Sequence, residues 1–153
     1  MIEIADLKKQ ILLQGLMEDE YQRLAAKLEY RHYEKDAVLF REGDSPDGIF
    51  LIKKGRVRIS ITLQGQGGHQ RTLVIFKDGN YFGDISILEK RRHSATATAL
   101  TELEIFLLRF DMLSCQHSGD LLLCCRLHKR LALIASKNLR QMNVKYLRLE
   151  GSF

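Results

Sequence analysis

A chain of 153 residues with a formal net charge of +5 is long enough to bury one core without covalent staples, and its interspersed acids and bases permit nucleic-acid binding without indicating it. The acidic opening Met1-Ile2-Glu3-Ile4-Ala5-Asp6 lacks the basic start of an export signal, and no apolar run approaches the roughly 20 residues that span a bilayer. These features argue against secreted and membrane-spanning classes and predict a soluble, cytoplasmic protein.

Residues 4–28 read as helical, with Ile4, Leu7, Ile11 and Leu12 on one face and Tyr21, Leu24, Ala25 and Leu28 on another, divided into two short helices at Gly15. From Tyr30 onward the pattern changes to short runs between turn residues. Val38-Leu39-Phe40 precedes a turn in which Pro46 and Gly48 do the bending. Ile49–Ile52 follows, then Lys53-Lys54-Gly55, the alternating run Val57–Thr62, the loop Gln64–Gly68 and a further strand, Thr72–Phe76.

The stretch Tyr81–Leu100, YFGDISILEKRRHSATATAL, carries the most chemistry. Gly83 suits a sharp turn close to a ligand. Asp84 offers two acceptor oxygens that suit a ribose hydroxyl. Ile85–Leu88 reads as one helical turn whose free N-terminal amides attract an anion, and Lys90, Arg91, Arg92 and His93 return positive charge toward it. These are the parts of a pocket for an anionic sugar phosphate.

Thr96–Leu100 and Leu103–Leu108 supply two more strands, and Asp111 to about Leu149 a second helical region with Gly119 and Asp120 as break and N-cap. So many short strands predict a mainly β fold with flanking helices, an antiparallel β-roll of jelly-roll type. One domain covers 1–153: N-terminal helices over 1–29, the roll over 30–108 with its cassette at 82–99, and C-terminal helices over 109–153. In the last helix Leu131, Ala135, Leu139, Met142, Tyr146 and Leu149 form a seam of nearly coiled-coil spacing. It either packs on its own β-roll or outruns the core and pairs with a second copy as a homodimer.

Cys115 stands apart from the adjacent Cys124 and Cys125, a spacing that fits neither a disulfide framework nor a Cys-x-x-Cys metal site, so reduced thiols are expected. The five histidines, at positions 32, 69, 93, 117 and 128, lack the close pairing of a metalloenzyme of cupin type, and Asp84 has no identifiable acid partner for general-base work. The expectation is a non-enzyme without catalytic residues, metal or resident cofactor.

The order of these elements, with Phe40-Arg41-Glu42-Gly43-Asp44, Ile52-Lys53-Lys54-Gly55-Arg56-Val57 and the Tyr81–Leu100 stretch, resembles the cyclic nucleotide-binding domain family. The resemblance implies a sensor of cyclic AMP or cyclic GMP. Phe82-Gly83-Asp84 would form the turn and ribose anchor, and the amides around Ile85, Ser86 and Ile87 would bind the cyclic phosphate. Ser94 would touch phosphate or base, and Leu73 and Ile61 would wall the base. Two positions depart from the family. Asp84 stands where members usually have Glu, and His93 where they have the Arg that pairs with phosphate. Arg92 lies one residue earlier, which on a strand turns it to the opposite face.

The resemblance therefore implies a regulatory domain of weak, pH-sensitive affinity, or alternatively a ligand-free interaction module. The long helix would act as lid and relay to an unidentified effector protein. A DNA-binding domain is not expected, since the chain stops at Phe153, and the basic residues of the last helix read as a solvated face.

Overall fold

The computed structural model describes residues 1–65 and 67–151. Gln66, in the middle of the predicted Gln64–Gly68 loop, lies outside the described residues.

The architecture is a β-roll of two four-stranded antiparallel sheets, with helices packed on one side. The first sheet has the order β1-β8-β3-β6 and the second β2-β7-β4-β5. The strands are β1 (Glu29–Tyr33), β2 (Val38–Phe40), β3 (Gly48–Lys54), β4 (Val57–Thr62), β5 (Gln70–Phe76), β6 (Tyr81–Phe82), β7 (Thr96–Ala99) and β8 (Leu103–Arg109). The helices are α1 (Ile4–Lys8), a 3-10 turn Ile11–Leu13, α2 (Glu18–Ala25), α3 (Asp84–Leu88), α4 (Phe110–Leu113) and α5 (Leu121–Leu149).

Strands β3 and β8 are the centre of the molecule, and the two-residue period of a strand divides their side chains between two cores. Ile49, Leu51, Phe106 and Leu108 face the helices, where they meet Leu7, Leu12, Leu24, Leu123 and Leu127. Phe50, Ile52, Ile105 and Leu107 face the second sheet and pack with Phe40, Val57, Phe82, Ala97 and Ala99. Being covered on both faces, these strands read as continuous apolar runs. Gly48 must lack a side chain because a Cβ there would meet the backbone of Leu108 and Arg109.

The predicted roll is thus the observed one, with three changes. β1 was not foreseen as a strand. Its Glu-Tyr-Arg-His-Tyr sequence is a polar edge, and pairing to Leu103–Leu107 of β8 makes it extended. The N-terminal region holds a 3-10 turn besides the two helices, with Gly15 in the left-handed region at φ +83° dividing it from α2.

Cys115 is also not alone. It is disulfide-bonded to Cys124, with Cα atoms 5.7 Å apart. The loop doubles back through Gly119 at φ +68° and lays Cys115 against the first turn of α5, a return that nine residues of separation do not reveal. Cys125 remains a free, exposed thiol.

At its N-cap, α5 is held by Asp120, whose carboxylate accepts from the Leu123 amide at 3.2 Å and from Arg23 Nε at 2.7 Å. Leu123, Cys124, Leu127 and Leu131 are buried and Ile134 half-buried, after which the helix leaves the core. Leu139, Met142, Tyr146 and Leu149 lie 59–88% exposed, so the later turns of the seam do not pack on the roll. No described helix is long and apolar enough to cross a membrane.

Candidate functional site

The segment from β6 to β7 wraps a cavity of about 230 Å³ between the two sheets. β6 ends at Phe82, which is 3% exposed and stacks on Phe50 with centroids 5.0 Å apart. Phe40 and Phe76 close around the same ring at 6.0 and 6.1 Å. This aromatic floor holds the next residue rigidly. Gly83 takes φ +87°, ψ −1°, the left-handed region that disfavours side chains. A Cβ there would also come within 3.1 Å of the Gly48 carbonyl oxygen.

Gly83 is the N-cap of α3, so the amides of Asp84, Ile85 and Ser86 have no intrahelical acceptor. Ile87 differs from the expectation. As the fourth helical residue its amide bonds the N-cap carbonyl, and its side chain packs on the helix-side core. Phe82, Gly83, Asp84, Ile85, Ser86, His93 and Ser94 all line the cavity, and Ile87 is the predicted residue that does not.

Of the two expected walls, Leu73 is present and Ile61 is absent, its place being taken by Ile59. The β4–β5 ladder is irregular beside it. Ile59 pairs with Val74 while Ser60 pairs with Thr72, so Leu73 is extra and lies beside Val74 on the cavity. Phe40, Val74, Phe76 and Ala95 also line it, and the bulge in β5 brings Val74 to the cavity beside Leu73.

His93 is 5% exposed and lies flat on Phe40, with centroids 3.6 Å apart and planes 6° from parallel. Its Nδ1 is 3.1 Å from the Ser86 hydroxyl. Backbone bonds to the β2–β3 loop clamp it: its amide donates to the Asp44 carbonyl at 2.9 Å, and its carbonyl accepts from Gly43 at 2.8 Å. Burial lowers the imidazole pKa, opposed in part by Asp44 and Asp47. Arg92 points away, its Nη1 donating to the Gly43 carbonyl at 2.9 Å, and no Lys or Arg lines the cavity among the described residues.

Asp84 faces both this cavity and a groove of about 590 Å³ shared with Tyr81, Ile85 and the α5 residues Arg130, Lys137 and Arg140. Burial raises the Asp84 carboxyl above the ordinary carboxylate range, and with the Asp84 charge it pushes the Tyr81 phenol up as well. The arrangement is an apolar slot with one carboxylate, three amides that lack an intrahelical acceptor, two hydroxyls and an imidazole at its polar end.

Comparison with known proteins agrees with this geometry. The family profile described as cyclic nucleotide-binding domain matches residues 30–114, more than half of the chain. The chain belongs to that family. It is 31% identical over 109 residues to the cyclic AMP receptor protein of Thermus thermophilus, covering 71% of this chain and 50% of the relative. With a cAMP-dependent protein kinase regulatory subunit of Eremothecium gossypii it shares 33% identity over 99 residues, covering 65% and 20%. The chain thus spans half the length of the first relative and a fifth of the second.

Among solved structures, a cyclic nucleotide-binding domain from Methylobacillus flagellatus superposes with a TM-score of 0.79 at 21% identity, covering 95% of this chain and 80% of that one. The Thermus thermophilus catabolite activator protein gives 0.73 at 24% identity, covering 92% and 63%. At these identities the likeness is one of fold.

Proposed function

We propose that the chain is a non-catalytic regulatory domain that binds cyclic AMP or cyclic GMP in the cavity between β5 and α3. The observation that carries this reading is the convergence, on one cavity, of Gly83, the N-terminal turn of α3, Asp84 and Ser94 in a member of this family. The amides of Asp84, Ile85 and Ser86 would hold the cyclic phosphate, Asp84 the ribose hydroxyl, and Leu73, Val74 and Ile59 the base. The regulatory roles named for the relatives support a sensor function.

Binding is weak in this reading. A hydrogen bond to a charged group contributes roughly 1.5–3 kcal/mol, so a phosphate without a guanidinium loses about ten- to a hundredfold or somewhat more in affinity. Neutral His93 replaces little of that. Protonated, it would pair with the phosphate, and because burial lowers its pKa the gain comes as pH falls below its ordinary ~6.5. Calorimetry should therefore show tighter binding at pH 6 than at pH 8; equally tight saturable binding at both would refute the pH dependence.

A second reading is a ligand-free interaction module, favoured by the absence of Lys and Arg from the described cavity lining. His93→Arg separates the two. Tightening by about tenfold or more marks an intact pocket, whereas no binding heat from either nucleotide in either protein supports the module.

The relay belongs to α5, which lines the groove beside Asp84 and Ile85 and then projects its exposed seam. Ligand would shift α3 against α5, and the seam would join a second copy or an effector protein. Sedimentation should reveal a dimer whose stability changes with nucleotide; a monomer in both conditions sinks that part.

A further inference from the structure

Away from the cassette, three ligand-bearing side chains meet where α4 gives way to α5. Cys115 comes from the loop, while Cys124 and His128 stand four apart on one face of α5. Their ligand atoms lie within 4.8 Å of one another. We propose that, when the Cys115–Cys124 disulfide is reduced, the two thiolates and His128 bind a zinc ion.

The distances carry the argument. Zinc bonds thiolate at about 2.3 Å and imidazole at about 2.0–2.1 Å, so a tetrahedral site separates its nitrogen and sulfur ligands by about 3.6 Å. His128 Nδ1 lies 3.6 Å from Cys124 Sγ and 4.0 Å from Cys115 Sγ. The imidazole already stands at metal-sharing distance from both sulfurs, and reduction lets the sulfurs separate to about 3.8 Å, the spacing of two zinc-bound thiolates. Two soft sulfurs and an imidazole select zinc over magnesium or calcium.

Access is present too. Cys115 and His128 open on a cavity of about 810 Å³ that His117 also lines, giving an entry path and room for a fourth ligand. The same cavity touches Ile87 and Leu88 of the cassette helix, so the ion would brace the start of α5 beside α3.

The chemistry balances. A dithiol or two glutathiones supply two electrons and two protons, the S–S bond breaks, and the reductant becomes the disulfide. Zinc then displaces both thiol protons as two S–Zn bonds form. The Nδ1 of His128, 2.8 Å from the Cys124 carbonyl, releases that contact; its proton moves to Nε2 and its lone pair takes the metal. Disulfide and metal are mutually exclusive, so the site is occupied only under reducing conditions.

Cobalt(II) reports on such a site through thiolate-to-metal charge-transfer absorption. The full chain, reduced with a phosphine and desalted anaerobically, should take up one cobalt per molecule with that band, and zinc should displace it. Protein oxidised to the disulfide should take up none. Because outer-shell changes alone cost about 10–100-fold in affinity, Cys115→Ser and His128→Asn should each cost at least ~10-fold. Cys125→Ser, outside the cluster, should change nothing. Circular dichroism of each variant identifies any loss of fold, and the reduced and oxidised wild-type pair tests the site independently of substitution. Absence of the band in reduced wild type, its persistence in folded Cys115→Ser, or its loss in Cys125→Ser overturns the proposal.

Discussion

Strands β3 and β5 are each seven residues long and carry similar apolar runs, Ile49-Phe50-Leu51-Ile52 and Leu73-Val74-Ile75-Phe76. Their fates are opposite. The first run is 0–2% exposed throughout, whereas Leu73, Val74 and Ile75 are 55%, 38% and 51% exposed. β3 lies between β8 and β6 with a core on either face, while β5 is the outer strand of its sheet. Equivalent hydrophobicity therefore serves cohesion in one strand and leaves a contact surface in the other. An exposed apolar edge is a hazard that proteins ordinarily blunt, and here it lines the cavity over the cassette, where the proposed nucleotide would cover it.

Truncation should expose this contrast most strongly in β3. Phe50→Ala removes a buried ring stacked on Phe82 and should cost about 3–5 kcal/mol by chemical denaturation. A loss below 1 kcal/mol would mean that the central strand is not the cohesive one. Gly83→Ala, at the joint between the first sheet and the cassette, imposes a side chain on a left-handed residue beside the Gly48 carbonyl. It should cost about 1–2 kcal/mol and weaken nucleotide binding, read by denaturation and calorimetry together.

Acidity should act on the cassette and spare β3. His93 has its pKa lowered by burial, so the unfolded chain binds the proton more readily than the folded one. Its contribution to stability is fully present above the ordinary pKa near ~6.5 and is lost as pH falls through the lower folded value. Unfolding midpoints between pH 8 and pH 5 should decline less in His93→Gln than in the wild type; parallel declines would assign the effect to other groups. Nucleotide binding runs the other way, since it favours the protonated ring. The smallest stability effect belongs to β5: Leu73→Ala should change stability by no more than about 0.5 kcal/mol while weakening nucleotide binding. A large stability loss there would erase the distinction between the strands.

Much of this was legible beforehand. Val57–Thr62 was bounded correctly because its alternation is uninterrupted, and the Asp120 cap was visible as an acid following a glycine ahead of an apolar run. The glycine turn and the short helix of the cassette were legible because they follow from local backbone geometry. What escaped detection depended on partners remote in sequence. β1 is extended because β8 pairs with it, Val74 joins Leu73 on the cavity because of a bulge in the β4–β5 ladder, and Cys115 reaches Cys124 because a loop folds back. Ile87 lies off the cavity for a local reason: a five-residue helix consumes its fourth amide internally.

The sequence by itself determined the strand rhythm, the Gly83 turn and the one-residue offset between Arg92 and His93, since these follow from residue type and spacing of one or two positions. Only the tertiary structure decided that Arg92 bonds the Gly43 carbonyl, that His93 is buried flat on Phe40, and that β5 stands exposed where β3 does not. Solvent exposure and pKa depend on which surfaces meet, and those surfaces come from segments as far apart as Ile11 and Arg130.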